Sequence, residues 1–261
     1  MTEALPDVDG LLLDIDGVLA TSWEPIPGSI DAMRWIRDAG LPFRLITNTT
    51  THTRSDLAGT LSVAGFDVTE EEIVTAVVAA ATFLGAHYPG ASVYVLSDGH
   101  AGGDLTGVDI VSAPEAADVI VVGGACDDFS YDAVNRIFRR LMDGAPLVGM
   151  HRNLFWHTTS GWELDGGAYL AGLEAASGVE AIVCGKPAAA FFASALALLR
   201  VRSERAVMVG DDITNDILGA QAAGIRAVQV RTGKFRDADL ARAAPDRVID
   251  ALADLPSILG G

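Results

Sequence analysis

Asp14 and Asp16 stand one residue apart, directly after the apolar run Leu11-Leu12-Leu13 and just before Gly17. A continuously apolar run reads as a parallel strand buried on both faces, not as an alternating surface strand. Carboxylates at the end of such a strand are costly to bury unless something pairs them. A glycine beside them lets the backbone turn sharply. The chemistry this suggests is a hard divalent cation held by oxygen ligands, at the sheet edge where open α/β proteins bind ligands. Asp-x-Asp-Gly also occurs in exposed turns and calcium loops, so the fragment is not decisive alone.

Three further fragments join it. Gly210-Asp211-Asp212-Ile213-Thr214-Asn215-Asp216 follows the apolar Val207-Met208-Val209 and sets a second acidic cluster at a second strand end. One of its first two aspartates serves as a helix N-cap; capping alone does not call for three acids. Thr47-Asn48-Thr49-Thr50 closes a second buried strand with hydroxyls and backbone N–H groups suited to phosphate oxygens, although such residues also lead ordinary helices. Lys186 lies in Gly185-Lys186-Pro187, where Ile182-Val183 gives way to a helix. The chain holds sixteen arginines and two lysines. A lysine here is a compact charge that could sit among aspartates and a phosphoryl group, or an exposed turn residue.

The elements that must position these residues alternate between strand and helix, the pattern of a helix-wrapped parallel sheet. Helices are predicted over residues 30–39, 54–64, 131–142 and 187–200, and strands over 43–46, 206–209 and 227–230, the last clear strand. Thr69-Glu70-Glu71-Glu72 has the form of a capping box opening a long helix toward Tyr88. Asp211-Asp212 begins a helix ending near Gly224. Between lies a block with its own short strands, at 93–96, 108–111, 119–122 and 147–149, and a hairpin from Phe155–Thr159 to Trp162-Glu163-Leu164 around Ser160-Gly161. The predicted organisation is an α/β, Rossmann-like parallel-sheet core in two parts, residues 1–75 and 183–261, split by an inserted α/β cap domain at 76–182.

The 261 residues carry a formal net charge of −17. That balance argues against nucleic acid and anionic membrane surfaces as partners, but not against a phosphorylated substrate at a site with its own cation. Cys126 and Cys184 do not suggest a disulfide framework. The longest apolar runs, near 74–81 and 188–199, fall short of the roughly 18–20 residues of a membrane helix, and no signal peptide is read at the N-terminus. The expectation is a soluble, cytoplasmic protein. The five histidines (52, 87, 100, 151 and 157) lack zinc-type spacing. There is no Gly-x-Ser-x-Gly elbow and no nucleotide P-loop around Lys186.

In order and spacing, Asp14/Asp16, Thr47, Lys186 and Asp211 with Asp216 resemble the haloacid-dehalogenase superfamily of phosphotransferases. The insertion resembles its type-2 cap, of the NagD-like branch. Phe129-Ser130-Tyr131, Val183-Cys184-Gly185-Lys186-Pro187 and Val230-Arg231-Thr232-Gly233-Lys234-Phe235 are similar to proteins of the phospholysine phosphohistidine inorganic pyrophosphate phosphatase kind. Some of these carry serine where this chain keeps Asp16. The resemblance implies that Asp14 is a nucleophile forming an aspartyl-phosphate, and that Asp16 is the acid–base. It implies phosphate gripped by Thr47 and Asn48, with Lys186 balancing charge. Mg²⁺ would be bound by the Asp14 carboxylate, the Asp16 backbone carbonyl and Asp211, with Asp212 and Asp216 orienting around it. The implied activity is Mg²⁺-dependent hydrolysis of small phosphorylated compounds; a dehalogenase-type hydrolase and a silent phosphate-binding protein are the alternatives. Related capped enzymes often pair through their caps, so the resemblance offers a homodimer through the cap while leaving the oligomeric state open. Cap residues 151–157 and Trp162 are candidates for facing the leaving group, Arg152 as a cation and Trp156 and Trp162 as stacking surfaces; packing of a small cap core explains them equally.

Overall fold

The computed structural model describes residues 5–158 and 161–260, with the side chains of residues 100, 101, 156–158 and 162 outside the described set. The chain forms two compact units. One comprises residues 1–47, 54–74 and 186–261, the other residues 48–53 and 75–185. Numbering elements along the chain, the first unit holds β1 (Gly10–Leu13), the ribbon β2 (Ala20–Thr21) and β3 (Glu24–Pro25), β4 (Phe43–Thr47) and β5 (Ile73–Thr75), then β13 (Ala206–Gly210), β14 (Arg226–Val230) and β15 (Arg247–Ile249). Its helices are α1 (Ser29–Asp38), α2 (Arg54–Val63), α6 (Ala189–Leu199), α7 (Gly219–Ala222) and α8 (Leu255–Ile258).

The main sheet runs β15-β14-β13-β1-β4-β5. β1 is central and pairs in parallel with β13 on one side and β4 on the other. Leu11, Leu12 and Leu13 are fully buried; each contributes about 1.5–3 kcal/mol of transfer free energy, which makes the start of this strand one of the firmest parts of the core. The chain reaches β4 on one side of β1 and later β13 on the other, so the topological switch falls at the end of β1, beside Asp14.

The second unit carries β6 (Ser92–Leu96), β7 (Asp109–Ile110), β8 (Val119–Val122), β9 (Leu147–Gly149), β10 (Phe155–Thr158), β11 (Gly161–Leu164) and β12 (Ile182–Val183), with α3 (Ala76–His87), α4 (Tyr131–Met142) and α5 (Gly166–Ser177). Its sheet, β12-β9-β8-β6-β7, is parallel throughout. A separate apolar cluster including Ile120, Val122, Ile137, Leu141, Leu147 and Leu170 forms its core. Both units are therefore α/β with parallel sheets, and the second interrupts the sequence of the first. Among the described residues no helix is long and apolar enough to cross a membrane.

Four local expectations change. The capping box at Thr69 and Glu72 closes only a 3₁₀ turn, Glu70–Glu72. The β-branched run Ile73-Val74-Thr75 then joins the sheet edge as β5, as such residues favour, and the Thr75 hydroxyl caps α3 by accepting from the Val78 N–H. The segment after Asp212 is a π-helical turn, Ile213–Leu218, before the short α7. β15 follows β14 as a further strand beyond the last one the sequence pattern predicts. α5, which the sequence pattern does not predict, begins at Gly166-Gly167, with Asp165 as its N-cap. Of the hairpin, β10 and β11 are antiparallel, while Thr159 and Ser160 lie outside the described residues.

Candidate active site

Strand register assembles the site. Leu13 pairs with Val209 and with Leu45, so the ends of these strands meet at one sheet edge: Asp14 just after β1, Thr47 as the last residue of β4 and Asp211 just after β13. Asp14 still belongs to the ladder, its N–H donating to Val209 O at 3.0 Å. The chain then turns: the Gly17 N–H donates to Ala20 O at 2.8 Å, and Val18 and Leu19 return to the core fully buried. Asp14 itself is 6% exposed. Its Oδ1 accepts from the Ile15 N–H at 2.9 Å and lies 2.8 Å from Lys186 Nζ.

Lys186 is not an exposed turn lysine. It is 3% exposed, and its ammonium donates to Asp216 Oδ1 at 2.6 Å and to Ile46 O at 3.3 Å. Burial alone would lower its pKa; the Asp14 and Asp216 carboxylates outweigh that and hold it above the ordinary lysine value. Asp216 comes from the π-helical turn and is fully buried. Its close approach requires Gly210, since a methyl group there would collide with the Asp216 side chain. The Asp212 N–H donates to Asp216 Oδ2 at 3.1 Å. Desolvation, then the Asp14 charge, push the Asp216 pKa up to about 7 despite Lys186.

Asp211 is 2% exposed. Its Oδ2 accepts from the Lys234 N–H at 2.7 Å, whereas its buried Oδ1 has no hydrogen-bond partner. Burial, followed by the Asp14 and Asp216 charges, raises its pKa well above the usual carboxylate range. Asp212 is the cap, accepting from the Thr214 and Asn215 N–H groups at 2.9 and 3.0 Å. Its burial opposes ionisation, but Lys234 and those donors lower its pKa. Asp16 is exposed, and crowding by protein still raises its pKa through desolvation, against Lys234 and Lys186.

Oxygen atoms of Asp14, Asp211 and Asp216 lie within 4.8 Å of one another. With all three ionised, the carboxylates against one ammonium leave two negative charges in a buried place, and an unpartnered carboxylate oxygen there is expensive. An all-oxygen donor set of that charge suits a hard divalent cation such as Mg²⁺. The sequence reading assigned Asp216 to orienting the site; its oxygen stands among the three. Thr47 is buried at the end of β4. Asn48 begins the stretch grouped with the second unit, where its side chain packs close to Gly185.

Sequence reasoning passed over Lys234, although the rarity of lysine that singled out Lys186 applies to it equally. In the second unit, Arg152 is engaged by Glu174 through two hydrogen bonds of 2.7 Å, so its guanidinium already has a carboxylate partner. The side chains of Trp156, His157 and Trp162 lie outside the described residues. His151 is buried, with Nδ1 accepting from the Asn153 N–H at 3.2 Å.

The raised carboxylate pKa values give a signed prediction for the metal-free protein. Asp216 ionises near 3.9 when unfolded and at about 7 when folded. Its contribution to stability is therefore complete below about pH 4 and is lost as pH rises through 7. A cation bound to the ionised carboxylates reverses the loss. At a hundredfold excess over its Kd, Mg²⁺ should add about 2.7 kcal/mol, an increase in Tm of roughly 5–10 °C at pH 8 and less than half that at pH 5. Differential scanning fluorimetry with Mg²⁺ or EDTA measures it; equal increments at both pH values would contradict the assignment.

Comparison with known proteins agrees with this geometry. The haloacid dehalogenase-like hydrolase family model matches residues 11–111, and a HAD-hydrolase-like model matches residues 183–255. The chain is 37% identical to the human phospholysine phosphohistidine inorganic pyrophosphate phosphatase over 263 residues, covering 98% of this chain and 95% of that protein. NagD from E. coli K-12 superposes with a TM-score of 0.86 at 27% identity, over 95% of this chain and 98% of that one. A glycerol phosphate phosphatase from Mycobacterium tuberculosis, solved in complex with magnesium, gives a TM-score of 0.86 at 27% identity, over 95% of this chain and 76% of that one. With an Asp-rich sheet edge, a buried lysine and this relatedness across nearly its whole length, the chain belongs to the haloacid dehalogenase-like hydrolases, in their NagD-like phosphatase branch.

Proposed function

We propose that the chain is a Mg²⁺-dependent phosphatase that hydrolyses small phosphorylated compounds through a phosphoryl group carried on Asp14. The observation that carries this reading is the buried Lys186 ammonium between Asp14 and Asp216, beside an Asp211 oxygen without a partner. Phosphoryl transfer needs positioning and neutralisation of negative charge more than covalent chemistry, and those groups supply both. Asp14, Asp211 and the Asp16 backbone carbonyl would hold Mg²⁺, with Asp216 against the same seat. When bound, the cation draws charge from the phosphoryl oxygens.

Asp14 Oδ1 is committed to Ile15 and Lys186, so Oδ2 is the attacking oxygen. It forms an O–P bond as the bond from phosphorus to the leaving oxygen breaks, and Asp16 delivers a proton to that oxygen. Asp16 then takes a proton from water, whose oxygen bonds to phosphorus as the Asp14 O–P bond breaks and inorganic phosphate leaves. The raised pKa of Asp16 favours the protonated form that the first step requires. Thr47 and the Asn48 N–H would hold phosphoryl oxygens.

The reading is tested by inorganic phosphate release from a panel including p-nitrophenyl phosphate, phosphorylated amino acids and pyrophosphate, with Mg²⁺ and with EDTA. Turnover that EDTA leaves intact refutes the metal requirement; chloride release from haloacids without phosphatase activity would favour the dehalogenase reading. Asp16→Asn should lower turnover by about 10²–10⁴-fold, the range of general acid–base catalysis. With p-nitrophenyl phosphate, whose leaving group departs with little protonation, the variant should release about one equivalent of p-nitrophenol and then stall. Steady turnover at the parent rate would remove Asp16 from the mechanism.

The homodimer is also proposed through the second unit. Phe155 and Leu164 are cross-strand partners in the β10–β11 ribbon and are 58% and 63% exposed, next to the half-exposed Leu154. Analytical ultracentrifugation should show a dimer that Phe155→Glu with Leu164→Glu converts to monomer; a monomeric parent protein at micromolar concentration would rule this out.

A further inference from the structure

We propose that the turn Thr232-Gly233-Lys234 positions the Asp211 carboxylate and thereby sets the affinity of the chain for Mg²⁺. The proposal rests on reading Asp14, Asp211 and Asp216 as the cation seat, and it concerns residues to which the reaction above gives no role.

The turn follows β14, the strand beside β13, and is tied to the Asp14 loop as well as to Asp211. The Thr232 hydroxyl donates to Gly17 O. The Lys234 N–H donates to Asp211 Oδ2. Between these two anchors, Gly233 and Gly17 meet almost backbone to backbone, so that a Cβ on Gly233 would stand 2.7 Å from Gly17 Cα. Both glycines have positive φ, 65° and 76°, a region that favours glycine. A methyl group on either would also collide with Asp211 Oδ2. The carboxylate is thus clasped on its Oδ2 side by two bare backbones and one amide.

The consequence is selective. Oδ2 is hydrogen-bonded and sterically confined, and Oδ1 is buried without a partner. Held this way, Asp211 cannot rotate to satisfy both oxygens within the protein, and one remains for the cation. Groups that orient a metal ligand in this manner typically change affinity by about 10–100-fold when removed. The Lys234 side chain has a different part: it is 62% exposed and its ammonium reaches Asp212 Oδ2 only at 3.4 Å, so the anchor is the Lys234 amide.

The test is Mg²⁺ binding by isothermal titration calorimetry on the full chain, read beside the Tm measured in EDTA. Thr232→Val removes the hydroxyl at nearly constant shape and should raise the Mg²⁺ Kd by about tenfold. Thr232→Ser keeps the hydroxyl and should restore the parent value. Gly233→Ala should weaken binding further. Lys234→Ala keeps the amide and removes a nearby positive charge, so its Kd should equal the parent value or fall below it. The role of the turn is overturned if Thr232→Val and Gly233→Ala bind Mg²⁺ as tightly as the parent while Asp211→Asn does not; the cation seat then stands without it. It is overturned equally if Thr232→Val lowers only the Tm in EDTA, since that is a structural effect. If Asp211→Asn binds as tightly as the parent, the cation seat fails and the turn's role fails with it.

Discussion

Asp14→Asn should abolish the release of phosphate from p-nitrophenyl phosphate, with a loss on the order of 10⁶-fold, the scale seen when a covalent nucleophile is removed from a hydrolase. The amide is isosteric with the carboxylate, so the β1 ladder and the Ile15 N–H contact to Oδ1 survive. What changes is charge and nucleophilicity: the neutral side chain cannot attack phosphorus, and Lys186 loses one of its two carboxylate partners. The fold should persist. Three buried carboxylates crowd one another in the parent protein, so relieving one of them lowers their mutual repulsion. Circular dichroism should therefore match the parent, with a Tm in EDTA no more than a few degrees away. Turnover above about one part in a thousand of the parent rate, in a preparation free of host phosphatase, would reject Asp14 as the phosphoryl acceptor.

The features that make this prediction possible were mostly legible in the sequence, for a physical reason. A strand buried on both faces must be continuously apolar, so Leu11–Leu13 and Val207–Val209 announce themselves, and polar residues at their ends are conspicuous because they are expensive. The parallel core sheet was readable from the alternation of strand and helix; the second unit's strands were readable as short apolar runs, but their parallel pairing was not. Less legible was whatever depends on neighbours distant in sequence. The Thr69 capping box looks the same whether it opens a long helix or closes a single turn; the three β-branched or apolar residues after it decide for a strand because a sheet edge is waiting. β15 begins with an arginine and is three residues long, too short for periodicity to show. That Asp216 is fully buried follows from Gly210 lying opposite it, and that Lys234 anchors Asp211 through its backbone follows from where β14 ends. Neither fact is written in local sequence.

Replacing Lys186 by methionine should give a large stability change, and its pH dependence separates the electrostatic account from lost packing. Methionine keeps most of the buried stem of the side chain, so the cavity created is small. What disappears is the only ammonium, among the described residues, within hydrogen-bond reach of the Asp14 and Asp216 carboxylates. Breaking a buried pair by removing one partner costs about 3–5 kcal/mol, because the remaining charge is left without compensation. At roughly 2–4 °C per kcal/mol for a chain of this size, the Tm in EDTA at pH 8 should fall by on the order of 10 °C. At pH 5.5 the loss should be much smaller. Desolvation already pushes Asp216 up to about 7 in the presence of the lysine, and without it a proton is held more firmly still. The variant thus neutralises its own buried carboxylate below that value instead of tolerating the charge. A cation should compensate too, so excess Mg²⁺ at pH 8 should recover part of the lost Tm without recovering turnover. If the Tm falls equally at pH 5.5 and pH 8, the lysine acts through packing, and the picture of a charge-balanced carboxylate seat is wrong.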